Sequence, residues 1–381
     1  QLTKETYYNG NGTAAGNISR TISYTYDTAG NILSETRTED GETTTKTYGY
    51  GDSDWADLLT EVDGQAITYD ASGNPTSYFG RTMTWTNGRQ LKTSTTHAFG
   101  AVLKSTYTYD ADGIRKTKTI PINQRGLTCT YTFVTQNGKV VRQSWRTESI
   151  DFFYDESGRP FAMTYQRAND APQTYYYVLN LQGDVVKLVD VSGAEVASYE
   201  YDAWGNVLSQ SGSMASTNPL RYRGYYYDSE TGFYYLQSRY YDPAMHRFIN
   251  ADSYASTGQG FIGTNMFAYC HNSPVAFYDT EGNMATEATI AATNWWNPIG
   301  WIAGGILVVE VVVAAVVISE EIDSESAIKS HEISEKQANG EPTPTVSSSK
   351  KEKEKPKTPD VTYPGDDPSQ APDGYEWRGK D

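Results

Sequence analysis

Few residues of this chain are arranged for nucleophilic or metal chemistry. There is no Gly-x-Ser-x-Gly elbow, no phosphate-cradling glycine loop and no His-Glu-x-x-His, and the four histidines are His97, His246, His271 and His331. Cys270 and His271 are adjacent, a spacing that does not aim one side chain at the other in a strand, so a structural role outweighs a Cys–His dyad. The two cysteines, Cys129 and Cys270, form no CxxC, and neither a disulfide framework nor a zinc site is readable. What remains is carboxylate chemistry. Two carboxylates sharing one proton can activate water on a peptide bond, and an arginine beside them holds one member ionised. The acidic run Asp110-Ala111-Asp112-Gly113 is read differently, because it lacks the third oxygen ligand and distal Glu of a calcium loop; a turn is expected there. No cofactor and no metal is implied.

Such carboxylates need a scaffold, and the scaffold reads as β. Tyr 31 against Phe 11, with Gly 33 and many threonines, suits half-wet strands and turns, since a tyrosine ring packs while its hydroxyl keeps a polar partner. From residue 1 to about 218 a unit recurs: an alternating Thr/Tyr strand, Tyr-Asp-x-x-Gly-Asn, then another strand. Copies stand at Tyr26–Asn31, Tyr69–Asn74, Tyr109–Gly113, Tyr154–Gly158 and Tyr201–Asn206, with a divergent one at Leu179–Asp184. Asp can accept turn amides and Gly supplies positive φ, so each copy predicts a hairpin loop, and repeats of this period bury a face only by stacking on neighbours. Weaker hairpins are expected in the longer gaps. The stretch Pro219–Asp252, PLRYRGYYYDSETGFYYLQSRYYDPAMHRFINAD, is the densest part of the pattern. Its runs Tyr222–Tyr227 and Phe233–Tyr241 flank Asp228–Gly232 and predict a further hairpin.

This stretch closely resembles the core signature of RHS/YD-repeat (rearrangement-hotspot) proteins, and the Tyr-Asp units resemble their YD repeats. The segment Asn265–Asn283, NMFAYCHNSPVAFYDTEGN, is similar to the one that ends their shell, with Thr280 in place of Pro and Asn283 in place of Leu. The resemblance implies a β-strip wound into a shell, closed by a core plug, around a C-terminal toxin segment. It also implies self-cleavage just after the terminal motif by two Asp and a supporting Arg. Carried over by motif, these are Arg239, Asp252 and Asp279, with Asn283–Met284 as the scissile bond. The alternative is a buried Arg239–Asp252 ion pair that merely closes the plug. Asp242 is a further partner for Arg239 or Arg247, and sequence alone leaves that choice open.

The resulting fold class is mainly β: a curved, spiralling sheet of YD hairpins over 1–218 and a core plug over 219–283, followed by a hydrophobic helix and a disordered tail. Residues 284–322 hold the apolar run Ile299–Ile318, twenty residues with Glu310 as the one charge and Trp295, Trp296 and Trp301 at its start. That length suits a membrane-active, transmembrane-like helix; the rival is an apolar helix or strand sheltered in the shell. Residues 323–360 read as a disordered linker, and 361–381 resemble the truncated start of a polymorphic toxin module. The net charge of −16 argues against nucleic acid as a partner of the shell surface. The chain is read as the C-terminal portion of a longer secreted or cell-surface protein, possessing an immunity partner in its full-length form. The resemblance implies that it shelters a toxin and delivers it between competing bacteria. Two rivals are kept: a glycan-binding surface adhesin anchored by the apolar helix, and an inactive gene fragment.

Overall fold

Alternation along the strands decides which face each residue takes. In Glu148–Tyr154 the neighbours Phe152 and Phe153 are 3% and 50% exposed, one turned into the core and one outward, as the two-residue period of a strand requires. In Ala101–Tyr109, Ser105 and Tyr107 are buried, while Thr106 and Thr108 lie on the outer face. There, threonine hydroxyls pair across strands, Thr108 with Thr117 at 2.6 Å and Thr119 with Thr130 at 2.9 Å.

The structure is a computed structural model describing residues 1–9, 18–98, 100–252, 265–279 and 282, and the backbone alone of 286–287, 301–302 and 305–311. These residues all fall within the unit Gln1–Ala315. Hairpin follows hairpin, so sheet order is nearly chain order. One eight-stranded sheet holds the six strands from Leu2–Asn9 to Gln65–Ala66 together with Trp301–Ile302 and Gly305–Val311, and a fourteen-stranded sheet runs from Thr68–Tyr69 to Val207–Ser211. Hairpins without the Tyr-Asp signature fill the gaps, for example at Asn87-Gly88 and Asn137-Gly138, where both residues take positive φ.

The plug is a separate four-stranded sheet, Tyr226–Asp228, Phe233–Tyr235, Tyr240–Asp242 and Arg247–Phe248. The single hairpin expected from its two tyrosine runs is thus subdivided. Tyr222–Gly224 forms a short 3-10 turn with Arg223 at φ 54°, and a tight turn after Tyr235 breaks the second run, with the Leu236 N–H donating to the Arg239 carbonyl at 3.0 Å. Plug side chains meet the wall along its whole length. Arg247 reaches the Tyr50 hydroxyl at 2.8 Å, Asp242 takes the Tyr78 hydroxyl at 2.8 Å, Tyr226 donates to Gln143 at 2.6 Å, and Arg223 donates to the Gln182 carbonyl at 2.6 Å. Partners so widely spread along the wall require the two sheets to wrap around the plug. The winding also brings its ends together: the Ala203 N–H points to Glu5 at 3.4 Å, and Tyr24 packs on Trp204 with ring centroids 5.8 Å apart.

The expected apolar helix is corrected. Gly305–Val311 is a strand antiparallel to Leu2–Asn9, with Glu310 in register with Lys4 and Leu307 with Tyr7, and Trp301–Ile302 pairs beside it. Among the described residues, no helix is long and apolar enough to cross a membrane. The physical reason is composition: a valine-rich run is stiff at χ1 and favours a pleated surface, and the outer edge of Leu2–Asn9 presents backbone groups that need partners. The rest of Ile299–Ile318, the linker and the toxin-like end lie outside the described residues.

Candidate self-cleavage site

The Tyr-Asp turns that build the wall are made by local hydrogen bonds. Asp110 Oδ1 accepts the backbone N–H groups of Asp112 and Ile114 at 3.1 and 2.9 Å, and Gly113 takes φ 83°. Its carboxylate is therefore committed to the turn. The divergent copy does the same with an amide: Asn180 Oδ1 accepts from Gln182 and Asp184 at 3.0 and 2.9 Å. A further copy, Asp190 with Gly193, was hidden because no tyrosine precedes it. The motif tyrosine reaches back to the neighbouring strand, Tyr109 to the Leu91 carbonyl at 2.9 Å, Tyr154 to Val140 at 2.8 Å and Tyr201 to Val185 at 2.8 Å.

The last of these turns seats the plug. Tyr222, Tyr234 and Tyr241 donate to the carbonyls of Ala203, Gly205 and Trp204 at 2.9, 2.9 and 2.7 Å. Position 205 must be glycine, since φ is 89° and a Cβ would meet the Tyr222 ring at 2.6 Å. Hydroxyls in this buried layer explain why tyrosine stands where phenylalanine would otherwise pack.

Arg239, Asp252 and Asp279 are brought together behind this layer, each 4% exposed or less. Arg239 leaves the turn between two plug strands, Asp252 follows the last plug strand, and Asp279 follows Phe277–Tyr278. One nitrogen, Arg239 Nη2, touches Asp252 Oδ2 at 2.8 Å and Asp279 Oδ2 at 3.5 Å. Arg239 Nη1 donates to the Met266 carbonyl at 3.1 Å, its Nε donates to the Gly282 carbonyl, and its guanidinium lies 3.5 Å from the Phe248 ring centroid. Burial pushes Arg239 down to about 10, against the pull of the Asp252 and Asp279 charges, so it stays cationic at neutral pH. Asp279 holds the exit in turn: its Oδ1 accepts the Gly282 N–H at 2.7 Å, and its own N–H donates to the Tyr225 hydroxyl at 3.0 Å. Gly282 at φ 79° leaves no room for a side chain, because a Cβ would lie 2.7 Å from Ser238 Oγ and 2.8 Å from the Leu236 carbonyl. Thr286–Glu287 pairs antiparallel with Phe277–Tyr278. Thr280 and the bond Asn283–Met284 lie outside the described residues.

The remaining sequence candidates are placed plainly. Asp242 pairs with the Tyr78 hydroxyl, while Arg247 donates to Tyr50 and to the Asp57 carbonyl. Cys129 and Cys270 are buried free thiols, and burial carries Cys270 well above the usual thiol range, which leaves it inert. His246 is buried, His271 lies beside Phe277 in a strained turn, and His97 faces out from its strand. Sequence reading missed Arg89, whose Nη1 donates to the Ala251 carbonyl at 2.9 Å, and Tyr225; neither carries a local signal that points to the site.

Wall hairpins stacked in chain order around a tyrosine-rich plug define a YD-repeat β-shell. The teneurin YD-shell family model matches residues 8–275, and the chain belongs to that family, in keeping with its RHS/YD-repeat signature. It is similar to the tRNA nuclease WapA of Bacillus subtilis strain 168, 32% identical over 293 residues that cover 74% of this chain and 11% of the relative. It is also similar to double-stranded DNA deaminase toxin A of Burkholderia cenocepacia strain H111, 26% identical over 287 residues, 68% of this chain and 19% of that one. The chain thus spans only a tenth to a fifth of these relatives' length. The crystal structure of TcdB2-TccC3 shares the fold, with a TM-score of 0.57 and 20% identity over 74% of this chain and 15% of that one.

Proposed function

We propose that this chain is the end wall and plug of a toxin-enclosing shell, secreted or displayed at the cell surface, that cuts its own backbone between Asn283 and Met284. Its partners are its own C-terminal toxin segment, held within the shell, and an immunity protein against the full-length toxin. The observation that carries the cleavage is the shared guanidinium: Arg239 contacts both carboxylates and the carbonyl of Gly282, one residue before the bond. Asp252, the closer carboxylate, acts as base and takes a proton from water. The water oxygen bonds to the Asn283 carbonyl carbon, the C–N bond breaks, and Asp279, which starts as the protonated member of the pair, gives its proton to the departing Met284 amine, leaving the shared proton on Asp252. One water is consumed, and a new carboxyl and amine remain. Relatives named as a tRNA nuclease and as a DNA deaminase toxin support a toxin cargo.

Outward-facing Phe161 and Tyr176 favour the glycan-binding alternative, but they meet edge to face, 5.9 Å apart and inclined by 69°, which offers a sugar ring no flat platform. The test of the main reading is intact mass of the purified chain beside Asp252→Asn and Asp279→Asn. A fragment starting at Met284 is expected from the unaltered chain only. Equal processing in all three removes the dyad.

A further inference from the structure

Asp252 is held from the wall as well as from the plug. The wall strands Arg81–Thr86 and Gln90–Ala98 join through Asn87-Gly88-Arg89, and the neighbouring Tyr-Asp turn steadies that loop, Asn74 Nδ2 donating to the Gly88 carbonyl at 2.6 Å. Arg89 follows directly and donates from Nη1 to the Ala251 carbonyl at 2.9 Å, fixing the peptide that precedes Asp252. The N–H of Asp252 donates to the Met266 carbonyl at 2.9 Å, the same oxygen that takes Arg239 Nη1. Arg239 thus holds the carboxylate of the base, while Arg89, arriving from another part of the fold, holds the peptide just before it. They also sense each other: burial lowers Arg89 while the Asp252 charge opposes that shift, and Arg89 in turn helps to lower Arg239.

We propose that Arg89 is a positioning residue for the cleavage, supplied by the wall, so that the site is complete only when the hairpin 81–98 has closed on the plug. This rests on the self-cleavage reading above. Its consequence is an order of events: a chain whose wall is still open keeps its C-terminal segment attached, and release follows shell closure. A local hydrogen-bond donor at the wall suffices for the device, because a carboxylate displaced by about 1 Å can lose on the order of a hundredfold in rate.

The experiment follows the fragment starting at Met284 over time during cell-free synthesis of the whole chain, for the unaltered protein, Asp252→Asn, Arg89→Ala and Arg89→Lys. Arg89→Ala should slow cleavage by about ten- to a hundredfold. Arg89→Lys should recover part of the rate, as should methylguanidinium added to Arg89→Ala. Melting temperatures compared in the uncut Asp252→Asn background should differ little with and without Arg89→Ala. Cleavage of Arg89→Ala at the unaltered rate overturns the positioning role alone. So does a slow Arg89→Ala that neither lysine nor methylguanidinium restores and that melts much earlier, since the residue is then only structural. An unaltered chain that is not cut, or that is cut equally with Asp252→Asn, overturns the cleavage reading and this proposal with it.

Discussion

His246 shows what burial does to one titratable group. Enclosed by Tyr24, Trp204 and the Glu35–Lys46 pair, its imidazole is pushed down to about 3 by desolvation, against the Glu35 charge that favours protonation. Asp202, the acid of the last Tyr-Asp turn, is displaced the other way, to about 7, by burial and by nearby Glu5. Glu5 is fully buried, accepts the Tyr7 and Tyr24 hydroxyls at 2.6 and 2.5 Å, and is itself raised by desolvation. The two effects on stability have opposite signs. The depressed histidine contributes fully above 6.5, and that contribution is lost as pH falls toward about 3. The raised aspartate contributes below 3.8, and that contribution is lost as pH rises through about 7. Between 3.8 and 6.5 they offset each other, at about 1.4 kcal/mol per pH unit for each proton. Melting curves across that window should therefore diverge: on acidification His246→Gln gains stability relative to the unaltered chain, and Glu5→Gln loses it. Three parallel profiles would contradict this pairing.

At the scale of the element, the Tyr-Asp turn is a side-chain oxygen taking two amides plus a glycine at positive φ. Aspartate charge is dispensable for it, as Asn180 demonstrates with the same two bonds. Asp110→Asn should accordingly be close to neutral, whereas Asp110→Ala strands two turn amides and should cost about 1–2 kcal/mol. Urea midpoints of the two variants check the difference, and equal losses would mean that charge, not hydrogen bonding, matters at this turn. The valine-rich segment teaches a different lesson about elements. Over Gly305–Val311 the same residues that read as a membrane helix form a strand, because an open sheet edge satisfies backbone groups that a helix would otherwise satisfy internally.

Across the whole molecule, wall and plug are joined by buried charge. Arg115 and Lys118, on the wall strand Arg115–Pro121, meet Asp228 and Glu230 of the plug hairpin: Arg115 Nη2 donates to Asp228 Oδ1 at 3.1 Å, and Lys118 Nζ reaches Asp228 at 2.9 Å and Glu230 at 3.0 Å. The Arg115 guanidinium also lies 4.2 Å from the Tyr235 ring centroid. Burial alone would raise Asp228, and the Arg115 and Lys118 charges reverse that, leaving it below the usual carboxylate range. Lys118 keeps Glu230, but removing Asp228 leaves the buried Arg115 guanidinium uncompensated, so Asp228→Ala should destabilise by about 3–5 kcal/mol. Amide exchange should rise first in residues 226–248, where the plug would loosen from the wall. A loss under about 1 kcal/mol would show that the wall holds the plug without this cluster.

Local chemistry was legible without coordinates. Alternation, the Asp and Gly of each turn, and the excess of tyrosine are short-range facts, so the β class and the repeat unit could be read from spacing, while the plug came from the motif resemblance. The motif resemblance singled out Arg239, Asp252 and Asp279, and the fold places all three on one another. Contacts between distant residues had no such signal. Nothing in Arg89 announces a bond to a carbonyl 162 residues away, and nothing in Asp242 told whether Arg239, Arg247 or Tyr78 would meet it. The apolar run failed for a related reason: length and hydropathy are shared by a membrane helix and a buried strand, and only the neighbouring edge of Leu2–Asn9 selects between them. What a residue does to its own turn is set by covalent neighbours; which partner a buried charge or an unpaired edge finds is set by how the wall winds.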